Sequence, residues 1–149
     1  MLVVSMANKP FSSSLYNDND DAKNLVVKFF KNHDYEAWVN PDRYGIDIIF
    51  HDETFIYQYC EVEVKHNWKG EAFPYDTVHL PKRKLKFANK DSVFAMLNHE
   101  RTHILWIAGE KVLESPIVVK NTIYTKGEEF IEVDVTDCRI TKMEDNSDT

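Results

Sequence analysis

Tyr44-Gly45-Ile46-Asp47-Ile48-Ile49-Phe50 is followed, after a short polar break, by Tyr59-Cys60-Glu61-Val62-Glu63-Val64-Lys65. Both runs are rich in β-branched and aromatic residues and read as short strands. The first carries one carboxylate among apolar residues; the second ends in Glu-x-Lys. Successive side chains of a strand alternate faces, so Glu61, Glu63 and Lys65 share one side of the second run while Val62 and Val64 share the other. If the two runs pair as neighbours, Asp47 can sit beside Glu63 with Lys65 one step further along. Two carboxylates and an ammonium on one sheet face are costly unless something binds there, and a divalent metal with a phosphate would balance them.

Asp, then a gap, then Glu-x-Lys on a hairpin resembles the PD-(D/E)XK nuclease superfamily, and within it the small phage-type and resolvase-like members. The resemblance implies an α/β fold with a restriction-endonuclease-like core, a mixed central β-sheet and flanking helices. It implies metal-dependent hydrolysis of phosphodiester bonds in DNA, with Asp47, Glu63 and the backbone carbonyl of Val64 holding Mg²⁺, for which Mn²⁺ can substitute. Lys65 would contact the attacking water or the scissile phosphate, and Glu61, on the same face, would hold a water or a second metal. The residue chemistry agrees independently: Mg²⁺ takes hard oxygen ligands, one or two of them carboxylates, and keeps several waters.

Other features of the chain follow the order that the resemblance calls for. Ala22, Leu25, Val26, Phe29 and Phe30 form the stripe of a helix facing a sheet. Asp20 and Asp21 stand where its N-terminus would want acid; the family's first helix often adds an acidic ligand, which makes Asp18, Asp20 and Asp21 candidates, although capping explains them more simply. Strands are expected at 35–39, 46–50 and 55–65, with His51-Asp52-Glu53-Thr54 as a turn. Pro41-Asp42 spells the "PD" of the family name, but Asn40-Pro41-Asp42-Arg43-Tyr44-Gly45 is turn chemistry, so Asp47 is the better ligand.

Between Lys82 and Lys90 five of nine residues are Lys or Arg, on a chain whose net charge is −7. Such an asymmetry can meet DNA, and a solvated helix face would look the same. Pro81 suits the first turn of a short helix here. Arg83-Lys84 matches an Arg-Lys pair that follows the catalytic Lys in similar phage nucleases, and Lys82, Arg83, Lys84 and Lys86 are the expected DNA contacts. His66, next to Lys65, has a phosphate within conceivable reach, but a structural or solvent role is the simpler account.

His99-Glu100-Arg101-Thr102-His103 is a literal H-E-x-x-H, the zinc-protease motif, which needs both histidines on one continuous helix. Its flanks, Val93 to Leu97 and Ile104 to Ile107, are β-compatible, so the segment reads as a hairpin with H-E-R-T in its turn. Further strands are expected at 116–124 and 130–135, with Glu132 and Asp134 on a solvated face.

At 149 residues and 43% hydrophobic content the chain suits one domain, with 1–17 and 142–149 flexible. Cys60 and Cys138 have no metal-ligand spacing and are expected as buried free thiols of an intracellular protein. No apolar run approaches a membrane span, so a cytoplasmic location is expected, the host's if the chain is phage-encoded. The expected partner is DNA, and the resemblance implies a homodimer or higher homo-oligomer. The competing readings are a catalytically inactive nuclease fold used for DNA binding or assembly and, remotely, the H-E-x-x-H zinc protease.

Overall fold

A computed structural model describes residues 13–121 and 126–143, with the side chains of 13–19 outside the description. Helix α1 runs over Ser13–Asn32 and strand β1 over Glu36–Val39, followed by β2 (Ile48–His51) and β3 (Gln58–Lys65). Then come β4 (Thr77–Pro81), a 3₁₀ helix (Lys82–Phe87), β5 (Ser92–Asn98), β6 (His103–Ala108) and α2 (Gly109–Glu114). β7 (Ile117–Lys120), β8 (Glu128–Asp134), a short 3₁₀ turn (Val135–Asp137) and β9 (Arg139–Lys142) complete the described chain.

Six strands form one sheet in the order β1-β2-β3-β5-β6-β9. All neighbours are antiparallel except β3 and β5, which pair in parallel from Tyr59 opposite Ser92 to Lys65 opposite Asn98. The mixed central sheet that the resemblance implied is therefore present, and β3 is two-faced as its alternation of charged and apolar residues required. One face of β3, with Cys60, Val62 and Val64, is buried in a core shared with Ala22, Val26 and Phe30 of α1. There Phe30 stacks on Phe50 with ring centroids 4.0 Å apart.

The other face is covered differently from expectation. A second, antiparallel sheet of order β4-β8-β7 lies there. Val78, Leu80, Ile131 and Val133 pack with Phe94, Met96, Leu105 and Ile107 of the large sheet in a second core. β4 carries no legible sequence signal, because it shows only two inward apolar residues, Val78 and Leu80, too few to register as a period. Pro81 ends β4 and stands before the 3₁₀ helix rather than inside its first turn, its φ of −57° compatible with that junction. α2, a helix of one and a half turns, and β9, whose single apolar residue is Ile140, were also not anticipated.

Several boundaries need correcting. α1 already includes Ser13 to Asn17, so part of the segment expected to be flexible is helical, and Lys142 closes β9; residues 1–12 and 144–149 lie outside the described residues. Asp20 and Asp21 consequently sit inside α1 and not in its first turn, which removes the capping explanation. The expected strand 116–124 is β7 up to Lys120, with 122–125 outside the description. Cys60 is buried as expected, whereas Cys138 is only partly so.

Gly109 joins β6 to α2 where no side chain fits. A β-carbon there would overlap the Ser92 hydroxyl and the Asn89 carbonyl and come within 2.9 Å of the Asn89 nitrogen. Because backbone cannot yield like a flexible side chain, Gly109→Ala should destabilise the fold by about 1–3 kcal/mol. A urea titration should show a lower midpoint at unchanged slope; an unchanged midpoint would mean that this junction relaxes freely.

Candidate active site

β2 and β3 pair only through Ile48–Cys60, Ile49–Tyr59 and Phe50–Gln58. One step beyond, Asp47 substitutes its side chain for the next backbone bond: its Oδ2 accepts from the Val62 N–H at 2.8 Å. The Asp47 N–H in turn donates to Glu61 Oε1 at 3.2 Å, and its carbonyl accepts from Asn40 N–H at 2.9 Å. The two strands separate at this point, and the Asp47 and Glu61 carboxylates are held next to one another. Backbone groups alternate sides along a strand, so the Val64 carbonyl faces the same edge as the Val62 N–H that Asp47 takes.

Ammonium groups reach these acids from three directions. Lys23 of α1 lies 3.3 Å from Asp47 Oδ1 and 3.8 Å from Asp20, which ties the first-helix acid to the site through a lysine. Asp21 is exposed, and the side chain of Asp18 lies outside the described residues. Lys84, from the 3₁₀ helix, donates to Glu61 Oε2. Lys65 pairs with Glu63 Oε2 at 3.0 Å and donates to the His79 carbonyl of β4 at 2.6 Å. Glu61, Glu63 and Lys65 do share one face, as their alternation required. The register sets Asp47 directly against Glu61, with Glu63 one further step along that face.

Glu61 is almost wholly buried, its side chain only 4% exposed. Burial pushes its carboxyl up from 4.5 to about 7, the Lys84 ammonium pulling it down and the Asp47 carboxylate pushing it further up. Beneath it, burial holds the Cys60 thiol well above its ordinary value, so Cys60 is an inert core residue.

The four expected DNA contacts separate into two groups. Arg83 and Lys86 are exposed, Lys86 lying 5.0 Å over the Phe87 ring, and Lys82 is exposed while pairing with Glu129 at 3.2 Å. Lys84 turns inward to Glu61 and belongs to the site itself. Glu132 and Asp134 do more than face solvent: Glu132 meets His79 Nε2 at 2.8 Å, and Asp134 accepts from the Thr136 N–H at 2.9 Å.

The H-E-x-x-H segment lies on no helix. His99 to Thr102 form the turn between β5 and β6, and His103 opens β6. Asn98, completely buried, fixes that turn by accepting from the Thr102 and His103 N–H groups at 2.8 and 3.0 Å while donating to Thr102 Oγ1 and the Gly70 carbonyl. His66 and His99 approach each other instead, with their Nδ1 atoms 3.1 Å apart. Pro41-Asp42 lies in the expected turn, Asp42 Oδ1 accepting from the Tyr44 N–H at 3.0 Å.

The architecture matches that of a Holliday junction resolvase (Hjc) from Archaeoglobus fulgidus. The TM-score is 0.50 at 11% sequence identity, over 78% of this chain and 84% of that one. The chain has the restriction-endonuclease-like fold. No family model matches it, and no curated protein does.

On this fold the acids can be tested for their fit to a metal. Among the described residues no three carboxylate, imidazole or thiolate groups converge as a metal cluster. Mg²⁺ needs fewer protein ligands, because it retains several waters beside one or two carboxylates. The adjacent Asp47 and Glu61 carboxylates supply that hard-oxygen pair, with Glu63 beyond them, so the residues fit a hydrated divalent cation. Lys23 is the participant that the sequence did not reveal. Its place one turn after Asp20 and facing the core stripe was readable, but nothing in the chain marks it as reaching Asp47.

The raised carboxyl of Glu61 fixes the sign of a pH effect. Between pH 4.5 and about 7 the folded chain keeps a proton that the unfolded chain has lost, so stability falls as pH rises through that window. Relative to Glu61→Gln, the wild type should lose on the order of 2 kcal/mol between about pH 5 and about pH 8. Denaturant titrations at the two pH values check this; parallel behaviour of the two proteins would mean that Glu61 titrates normally.

Proposed function

We propose that this chain is a metal-dependent nuclease that hydrolyses phosphodiester bonds in DNA, of the small phage or resolvase type. The observation that carries the reading is the Asp47–Glu61 carboxylate pair, fixed where β2 and β3 part and continued along the same face by Glu63 and Lys65. The nuclease fold adds to it, and the similar structure is that of a Holliday junction resolvase.

In this reading Asp47, Glu63 and the Val64 carbonyl hold a Mg²⁺ ion, with Glu61 adding a ligand or holding a water. When bound, such an ion polarises the phosphate and makes hydroxide available near neutral pH. The remaining work falls to the chain. Lys65 is held by Glu63 and the His79 carbonyl, so its ammonium is preorganised to position water and steady charge developing on the phosphate. Arg83 and Lys86, exposed on the 3₁₀ helix, and Lys82 beside them, neutralise the DNA backbone. A homodimer would bring two such sites to the two strands of a duplex or junction.

One observation favours a second reading, a nuclease fold that binds DNA without cutting it. Asp47, Glu61 and Glu63 are each already matched by a lysine, so the acidic face is neutralised without a metal.

Cleavage of supercoiled plasmid and of a four-way DNA junction in Mg²⁺ separates the two readings. Lys65→Ala and Asp47→Asn should each lower cutting by about a hundredfold or more while circular dichroism stays that of the wild type. Preferential cutting of the junction would point to a resolvase. If folded wild type cuts neither DNA in Mg²⁺ or Mn²⁺, the chain is a binding module.

A further inference from the structure

Lys84 is the feature that the proposed chemistry does not account for. It comes from the 3₁₀ helix Lys82–Phe87, in which no residue is buried. Its own side chain is only 16% exposed, directed at a Glu61 carboxylate that is almost completely enclosed. Enclosing an ammonium and a carboxylate together removes both from water, a cost that their mutual attraction only partly offsets. Arg83 and Lys86, on the same helix, stay exposed. Lys84 is thus held out of the exposed basic surface that its sequence neighbours form.

What it occupies is the outer oxygen of the carboxylate pair. Glu61 Oε1 accepts from Asp47 N–H and Asp47 Oδ2 from Val62 N–H, so those two oxygens are committed to backbone. The other two, Glu61 Oε2 and Asp47 Oδ1, are the ones met by Lys84 and Lys23. A cation entering between these carboxylates would need the same outward oxygens. In the position it takes on Glu61, the Lys84 ammonium also lies 5.8 Å from the Phe87 ring centroid, so the ring at the end of the 3₁₀ helix is already within cation–π reach of it.

From this we infer that Lys84 fills the cation position of the site in the metal-free chain, and that a divalent ion enters by displacing it toward the exposed face of the 3₁₀ helix. The inference rests on the metal-dependent reading above. The exchange keeps Glu61 paired with a positive charge at every stage. It also returns Lys84 to the side of Arg83 and Lys86, where a DNA phosphate would meet it, so metal and DNA would favour one another's binding.

The test is the affinity for Mn²⁺ alone, by calorimetry at about pH 8, for wild type, Lys84→Met and Lys84→Arg, with melting temperatures recorded with and without the ion. Removing the competing ammonium should tighten Mn²⁺ binding by about tenfold or more. Mn²⁺ should also raise the melting temperature of Lys84→Met more than that of the wild type, whereas Lys84→Arg, which keeps the charge, should stay near wild type. Lys84→Gln, which retains a donor for Glu61, should behave as Lys84→Met does and serves if the latter does not fold without metal. Equal or weaker binding by the neutral variants, with wild type binding Mn²⁺, would overturn the displacement and leave the nuclease reading intact. No Mn²⁺ binding by any of the proteins would overturn the metal-dependent reading and the displacement with it.

Discussion

The site depends on one hydrogen bond, from the Val62 N–H to the carboxylate of Asp47. By taking a backbone donor, that side chain ends the β2–β3 ladder and satisfies the first N–H that the ladder leaves on that edge. Past Cys60, β3 continues as a strand only through its parallel pairing with β5. The gap on its other edge is where the acids gather. An Asp in this position is oriented by its structural duty, so its second oxygen projects in a fixed direction toward Lys23. Asn or Ser could cap the strand, but neither would bring a negative charge to the gap.

Charge balance follows from that geometry. The chain is acidic overall, yet its most enclosed acids stand against lysines drawn from α1, β3 and the 3₁₀ helix. Contact between distant parts of the chain is therefore electrostatic at the site and apolar around it. The small sheet has a part in both: Leu80 and Val78 close the second core, while the carbonyl of His79 between them receives the Lys65 ammonium. A strand that alternates inward apolar residues with a backbone acceptor at the right level can seal a core and seat a cation at once.

Much of this was legible from periodicity. The α1 stripe, the two-faced character of β3, the β5–β6 hairpin and the turn at 40–45 all follow from residue order, because each is a local pattern with a strong period or a specific turn chemistry. Alternation put Glu63 and Lys65 on one face, where the structure sets them in contact, with Asp47 at the rim, while their standing as a site came from the resemblance. The partnership of Asp47 with Glu61 was not legible, because register depends on where β2 ends, and that end is a side-chain bond rather than a sequence signal. The inward turn of Lys84 was hidden among the four cations of the 3₁₀ helix. β9 was hidden because an edge strand can be held by backbone pairing and one side-chain bond, here Trp106 Nε1 to Thr141 Oγ1 at 2.8 Å, without a run of apolar residues.

The parallel pairing of β3 with β5 has a consequence for the order in which the molecule assembles. β2 and β3 are a local hairpin that can form early, whereas β3 meets β5 only after the whole segment 66–91 has been closed into a loop, a slower event. Lys84 lies inside that loop. An early hairpin would carry Glu61 in water with an ordinary acidity, and the carboxylate would lose its hydration only as the loop closes and delivers its lysine. In that order of events, desolvation and neutralisation of the most enclosed acid would coincide.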